Sequence, residues 1–253
     1  MKGSELHSPH PFGFKNDMRK DNTFDRRYIN FPITILRTFP EQPKQTLVLA
    51  LRYSLGHHML AKGKTLNEAK DYLLIPSNWV LHEEQCRNDY IKHHGGVQCG
   101  INRESFLFWL YDIDTCSEFE QMKLLMYLAA HSILGTGRGK VVRTNFRMLF
   151  SRMAGRQQPF ASDAELLANA HPKIAAWYST RKRRTLLRGI FQLGICNFPG
   201  RGVWLAYGHQ QKDIDRLVAE VERRRHKDPS EQTYSAMLKE AKAKANNIRP
   251  APP

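Results

Sequence analysis

The sequence predicts a mainly α protein with one small β-hairpin, arranged as a helical N-terminal domain followed by a second helical unit that ends in the hairpin. Apolar residues recur at helical spacing behind recognisable capping residues, first at Leu47, Leu51, Leu55 and Met59 and again from Phe119 to Ile133. Two short apolar runs, near 195–198 and 203–207, are separated by Pro199, Gly200, Arg201 and Gly202, a composition suited to a tight reversal. Charge divides the chain as well. Residues 1–120 hold fifteen basic and fifteen acidic side chains, whereas 121–212 hold fifteen basic side chains and only two acids, Asp163 and Glu165. That middle stretch therefore carries +13 of the chain's net +15.

A chain of 253 residues, 41% of them hydrophobic, is long enough for one or two domains with an ordinary core. Its four cysteines, Cys86, Cys99, Cys116 and Cys196, are too sparse for a disulfide framework and favour a reducing compartment. No apolar run approaches the length of a membrane span, and the first residues lack the apolar stretch of a signal peptide. The expected location is cytoplasmic and nucleoid-associated.

Residues 1–27 are polar, are broken at Pro9, Pro11 and Gly13, and read as a flexible arm. The helical N-terminal domain is expected over 28–114. Apolar segments from Phe31 are interrupted at Pro32, Pro40 and Pro43, and a helix follows from about Gln45 to Ala61. Thr65 with Glu68 forms a capping box for a second helix, 66–74, which Pro76 ends. The stretch 79–100 is polar and His-rich and reads as loop. The apolar run 106–113 fits a buried strand or a helix equally, since periodicity alone does not separate the two.

The second domain is expected over 115–226. Ser117 with Glu120 is another capping box, opening a helix that Gly135 stops. A Gly-rich basic turn, 136–140, leads to Val141 and Val142. Thr144 is a suitable cap for a helix over 145–154 whose inner face is Phe146, Leu149, Phe150 and Met153, with Gly155 as terminator. After an insertion containing Gln, Pro and Asp, and a helical stretch at 164–177, Ser179 or Thr180 can cap a third helix reaching Leu193, stopped by Gly194. At about 100° per residue, Arg181, Arg184, Thr185, Arg188 and Gln192 share one arc of that helix, and Leu186, Leu187, Ile190 and Leu193 lie opposite. A further helix, 213–225, has an apolar stripe at Ile214, Leu217, Val218 and Val221 that suits packing on its own domain or a homodimer; 227–253 reads as a flexible charged tail.

Three helices followed by a hairpin with a basic tip resemble a winged helix-turn-helix domain over 117–208. The long insertion between the second and third helices departs from the simplest members of that superfamily. The resemblance implies a third helix lying in the major groove of double-stranded DNA, with Arg184, Arg188 and Gln192 reaching base edges. Backbone contacts are then expected from Arg138, Lys140, Arg143, Thr144, Arg147, Arg181, Lys182 and Arg183, and from Arg201 at the wing. Clustered positive charge points the same way, because neutralising phosphates releases condensed counterions. The function read from the sequence is a sequence-specific double-stranded DNA-binding protein, a regulator or accessory factor of a plasmid, phage or mobile element.

Two alternatives are a plasmid-type replication initiator with tandem winged helices and a metal-dependent nuclease or recombination enzyme. The nuclease would use the carboxylates Glu83, Glu84, Asp112 and Asp114, of which Asp112 and Asp114 would share a face only on a strand. Gly135-Thr136-Gly137-Arg138-Gly139-Lys140 falls short of a phosphate-binding loop: its glycine-to-lysine spacing is too small and Val141 stands where Ser or Thr would hold magnesium. His82, Cys86, His93, His94 and Cys99 have the residue types of a zinc site but no paired-cysteine spacing. No catalytic residue, metal or cofactor is therefore expected.

Overall fold

The structure is a computed structural model that describes residues 28–76, 78–135, 141–187, 193–198, 202–207 and 219. The arm at 1–27, the basic turn at 136–140, residues 188–192, the hairpin tip at 199–201, and the expected helix and tail beyond 207 lie outside the described residues, apart from Ala219. Among the described residues no helix is long and apolar enough to cross a membrane.

The fold is mainly helical with two small antiparallel sheets. Strand β1, Tyr28–Pro32, runs into a 3-10 helix, Ile33–Thr38, and then into α1, Pro43–Lys62. Pro43 opens α1 at a position whose N–H would have no helical partner anyway. The stripe Leu47, Leu51, Leu55 and Met59 is buried, as its spacing predicts. Helix α2, Leu66–Tyr72, begins at the expected capping box: Glu68 N–H donates to Thr65 Oγ1 (3.2 Å) and Thr65 N–H to Glu68 Oε2 (2.7 Å).

The segment expected to be a polar loop holds two elements. Helix α3, Glu83–His93, packs along α1, and β2, Gln98–Asn102, pairs antiparallel with β1 in the register Ile29↔Ile101. Gly56 makes the helix contact possible, since a Cβ there would collide with the Cys86 carbonyl and with Tyr90 Cβ. Helix α4, Arg103–Asp112, settles the ambiguous apolar run in favour of helix. Asn102 caps it by accepting from Glu104 N–H (2.9 Å).

Helix α5, Glu118–Leu134, is the pillar of the molecule. Ser117 and Glu120 form its capping box, and residues Met122, Leu124, Leu125, Met126, Tyr127, Leu128, Ala129, Ala130 and Leu134 are all buried. A helix apolar around most of its circumference must be covered from several sides. Here β2 and the 3-10 helix cover it from the N-terminal part of the chain. The remaining cover comes from β3 (Val141–Thr144), α6 (Phe146–Met153), α9 (Thr180–Leu187) and β5 (Gly202–Tyr207). Between α6 and α9 lie two short helices, α7 (Asp163–Asn169) and α8 (Pro172–Ala175). Strand β4, Leu193–Phe198, completes a three-stranded antiparallel sheet of order β3-β5-β4.

Three boundaries differ from the sequence expectation. Asn145, not Thr144, caps α6, accepting from Met148 N–H (2.8 Å). Thr144 instead pairs with Val203 in β3, a place suited to a β-branched residue, while Asn caps at least as well as Thr. The third helix is described only to Leu187, and Leu193 does not belong to it. Leu193 pairs with Tyr207 and Gly194 with Ala206, so both are strand residues. Gly194 is thus not a helix stop: the ladder to β5 satisfies its backbone, which the sequence alone could not reveal.

Candidate nucleic-acid interface

Helix α6 buries Leu149, Phe150 and Met153, and its arginines, Arg147 and Arg152, are half-buried. The chain then leaves through Gly155 (φ 69°) into the α7–α8 insertion, which is a built spacer and not a loose loop. Ser151 Oγ donates to the Arg147 carbonyl (2.7 Å) and accepts from Phe160 N–H (2.9 Å), fixing the start of the spacer. Ser162 caps α7 at Glu165 N–H (3.0 Å). At its far end, Tyr178 lies edge-on to Phe150 (5.0 Å between centroids) and its hydroxyl donates to Asp163 Oδ1 (2.8 Å). Burial, with the Asp163 hydrogen bond and charge added, pushes the Tyr178 phenol up to about 12. Tyr178 is therefore a fixed, neutral post immediately before α9.

Helix α9 follows directly. Arg181, Lys182, Arg184 and Thr185 are exposed, and Leu186 and Leu187 are buried against the core. The described part of the helix thus has the polar and apolar faces that its sequence spacing requires. Lys182 Nζ stands 5.5 Å from the Trp177 ring, and Trp177 Nε1 donates to Glu118 Oε1 (2.9 Å), tying the entry of α9 to the start of α5.

Arg183 behaves differently from its neighbours. Its guanidinium lies over the Phe146 ring (4.4 Å) and near that of Tyr178 (5.3 Å), joining α9 to α6. Arg147 on α6 approaches Asp163 at 4.0 Å. The Nε atoms of Arg147 and Arg183 are buried without a hydrogen-bond partner among the described residues, while an outer nitrogen of Arg183 donates to Thr180 Oγ1 (3.5 Å). Arg143 projects exposed from β3, 5.9 Å from the Trp204 ring. The structure therefore brings Arg147, Arg181, Lys182, Arg183 and Arg184 together on the α6–α9 pair and sets Arg143 on the adjoining sheet. Thr144 lies in β3, half-buried. Arg138, Lys140, Arg188, Gln192 and Arg201 lie outside the described residues.

Both acids of the basic segment are engaged: Asp163 as above, and Glu165 with Arg156 (3.4 Å). Sequence reasoning missed Phe146, Asp163, Trp177 and Tyr178 as the residues that hold these cations. The signal that could have found them is the pair Trp177-Tyr178 just ahead of the helix cap, where an apolar residue often packs against the first turn.

The other candidate sites do not assemble. Among the described residues no group of three or more His, Cys, Asp or Glu could hold a metal ion. Cys86 is buried beneath α1, which raises its thiol to about 11, and Cys99 Sγ is buried and donates to the Phe31 carbonyl (3.5 Å). Asp112 ends a helix, so Asp112 and Asp114 do not alternate on a strand; Asp114 pairs with Lys44 (3.0 Å) and Glu83 with Arg87 (2.8 Å). Comparison with known proteins brings no match: no family model fits the chain, and no curated protein or solved structure is similar to it.

Proposed function

We propose that this chain is a sequence-specific double-stranded DNA-binding protein, and that residues 117–208 act as a winged helix whose recognition helix is α9. With the α7–α8 spacer set aside, the element order supports this reading: helix, strand, helix, helix, strand, strand, with β3 pairing with β5 of the hairpin. The α7–α8 spacer replaces the tight turn of simpler helix-turn-helix units and still delivers α9 against α5 and α6. A regulator, or an accessory factor of a plasmid, phage or mobile element, fits a chain with one basic binding unit and a charge-neutral N-terminal part.

The observation that carries the proposal is the exposed edge of α9, where Arg181, Arg184 and Thr185 lie on the side away from buried Leu186 and Leu187, with exposed Lys182 at its flank. Such an edge can enter the major groove with its apolar side still held in the core. Arg184 then reaches base edges, as the sequence expects also of Arg188 and Gln192 just beyond α9, while Arg181 and Lys182 hold phosphates.

The test is selection of full-length protein on random duplexes, followed by titration of the selected site across a salt series. If about six phosphates are neutralised, log affinity falls against log salt with a slope of roughly −5. Arg184→Ala and Arg188→Ala each cost on the order of 1–3 kcal/mol at the selected site and relax base preference. Lys182→Ala weakens all sequences alike and reduces the salt slope by about one. Absence of any enriched site, or salt-independent binding, would refute the proposal.

A further inference from the structure

Between the 3-10 helix and the α6–α8 spacer the surface opens into a cleft of about 760 Å³, within the usual range for small-ligand sites. Its lining combines apolar surface with two arginines and two glutamines. Arg37 and Arg156 face it with Gln157 and Gln158, and Phe160 lies beneath.

The two guanidinium groups are prepared in different ways. The stem of Arg37 crosses Gly155, where a Cβ would come within 2.6 Å of Arg37 Cγ and 3.0 Å of the Ile33 carbonyl oxygen. Glycine at 155 therefore makes the seat in which the Arg37 stem rests, and Arg37 forms no ion pair with a described residue. Arg156 lies over the Phe160 ring at 4.2 Å and meets Glu165 at 3.4 Å, which fixes its plane while leaving other N–H groups for a ligand. At the rim, His171 Nε2 is 3.3 Å from Glu41 Oε1. Arg37, unlike Arg156, has no carboxylate partner among the described residues.

We propose that this cleft binds a nucleoside phosphate. Arg37 and the free edge of Arg156 suit a phosphate group, because guanidinium presents paired donors to paired oxygens. Gln157 and Gln158 offer both donors and acceptors, as a base edge requires, and the face of Arg156 turned away from Phe160 suits a planar ring. A metal cation is excluded by the arginines, and a purely apolar ligand would leave them desolvated without partners. This site is separate from the exposed edge of α9 and does not depend on the DNA-binding proposal.

The experiment is calorimetric titration of the full-length protein with ATP, GTP and inorganic phosphate, without DNA. Saturable single-site binding of at least one nucleotide is expected, with inorganic phosphate at least about tenfold weaker. Arg37→Ala and Gln158→Glu should each weaken nucleotide binding by about tenfold or more. Gln158 is exposed, so its substitution tests the site without disturbing the core. Lys182→Ala and Arg184→Ala should leave nucleotide binding unchanged. The proposal is overturned by any of three results: no saturation up to about 1 mM nucleotide; phosphate binding as tightly as nucleotide; or loss of binding in Lys182→Ala with Arg37→Ala unaffected, which would place the anion on α9.

Discussion

His131 sits on α5 against the rings of Tyr28 (5.8 Å) and Tyr127 (5.6 Å), and burial lowers its pKa to about 4. His58 is likewise lowered to about 4, by burial first and then by the charges of His57, Lys64 and Lys62. Both folded values lie below the ordinary 6.5, so between pH 6.5 and 4 the unfolded chain binds protons that the folded chain refuses. Stability contributed by these residues is complete above pH 6.5 and is lost as pH falls toward 4. For His131 the loss should be on the order of 2 kcal/mol, after discounting for its residual exposure. Thermal melts from pH 7 to 4.5 should show a falling Tm, and His131→Phe should flatten that limb; an unchanged limb in the variant would remove His131 from the account. Gly155 gives a second prediction at this scale. Its positive φ, and the Ile33 carbonyl and Arg37 backbone each 3.0 Å from where a Cβ would be, make Gly155→Ala cost about 2 kcal/mol in urea unfolding. A neutral result would mean that the 3-10 helix is free to move off α6.

At the scale of elements, α9 separates a buried apolar face from an exposed basic one. Leu186 is fully buried, so Leu186→Ala should cost about 2–5 kcal/mol and lower Tm, whereas exposed Lys182→Ala should stay within about 0.5 kcal/mol. Equal stability of the two variants would contradict the orientation of the helix. That orientation was legible in the sequence because charge and apolar residues alternate with the helical period. The capping boxes of α2 and α5 were equally legible, being local chemistry within four residues. Strands β2 and β3 were not. Val141–Thr144 is four residues long and is a strand because β5 lies beside it, a fact of tertiary pairing. Helix α3 was missed for a related reason: it buries only Cys86, so no apolar stripe marks it, and its place along α1 depends on the absent side chain of Gly56. Charges on a helix were legible in the sequence, but the aromatic residues that hold Arg183, Phe146 and Tyr178, are separated in sequence by the spacer and meet only in the fold.

For the whole molecule, charge and packing divide the chain differently. Almost all the positive charge lies within 121–212, which suggests a binding unit that could be cut away at residue 117. The hydrophobic core makes no such division: it is continuous from Ile29 to Leu205, with α5 packed on β2 and the 3-10 helix as well as on α6 and α9. Removing residues 1–116 would uncover part of α5, and each large apolar side chain returned to water costs about 1.5–3 kcal/mol. A few such exposures equal a typical total stability of about 5–15 kcal/mol. A fragment of residues 117–226 should therefore still attract DNA through its charge at low salt, yet melt without a cooperative transition and bind a hydrophobic dye, unlike the full chain. Its discrimination between the selected site and random duplex should fall with it, since base reading needs α9 held rigidly whereas phosphate attraction does not. Circular-dichroism melts and paired cognate and random titrations would check both parts. A fragment with the full chain's Tm and full discrimination would show that α5 needs no cover from the N-terminal region, and the continuous core would then be contact without dependence.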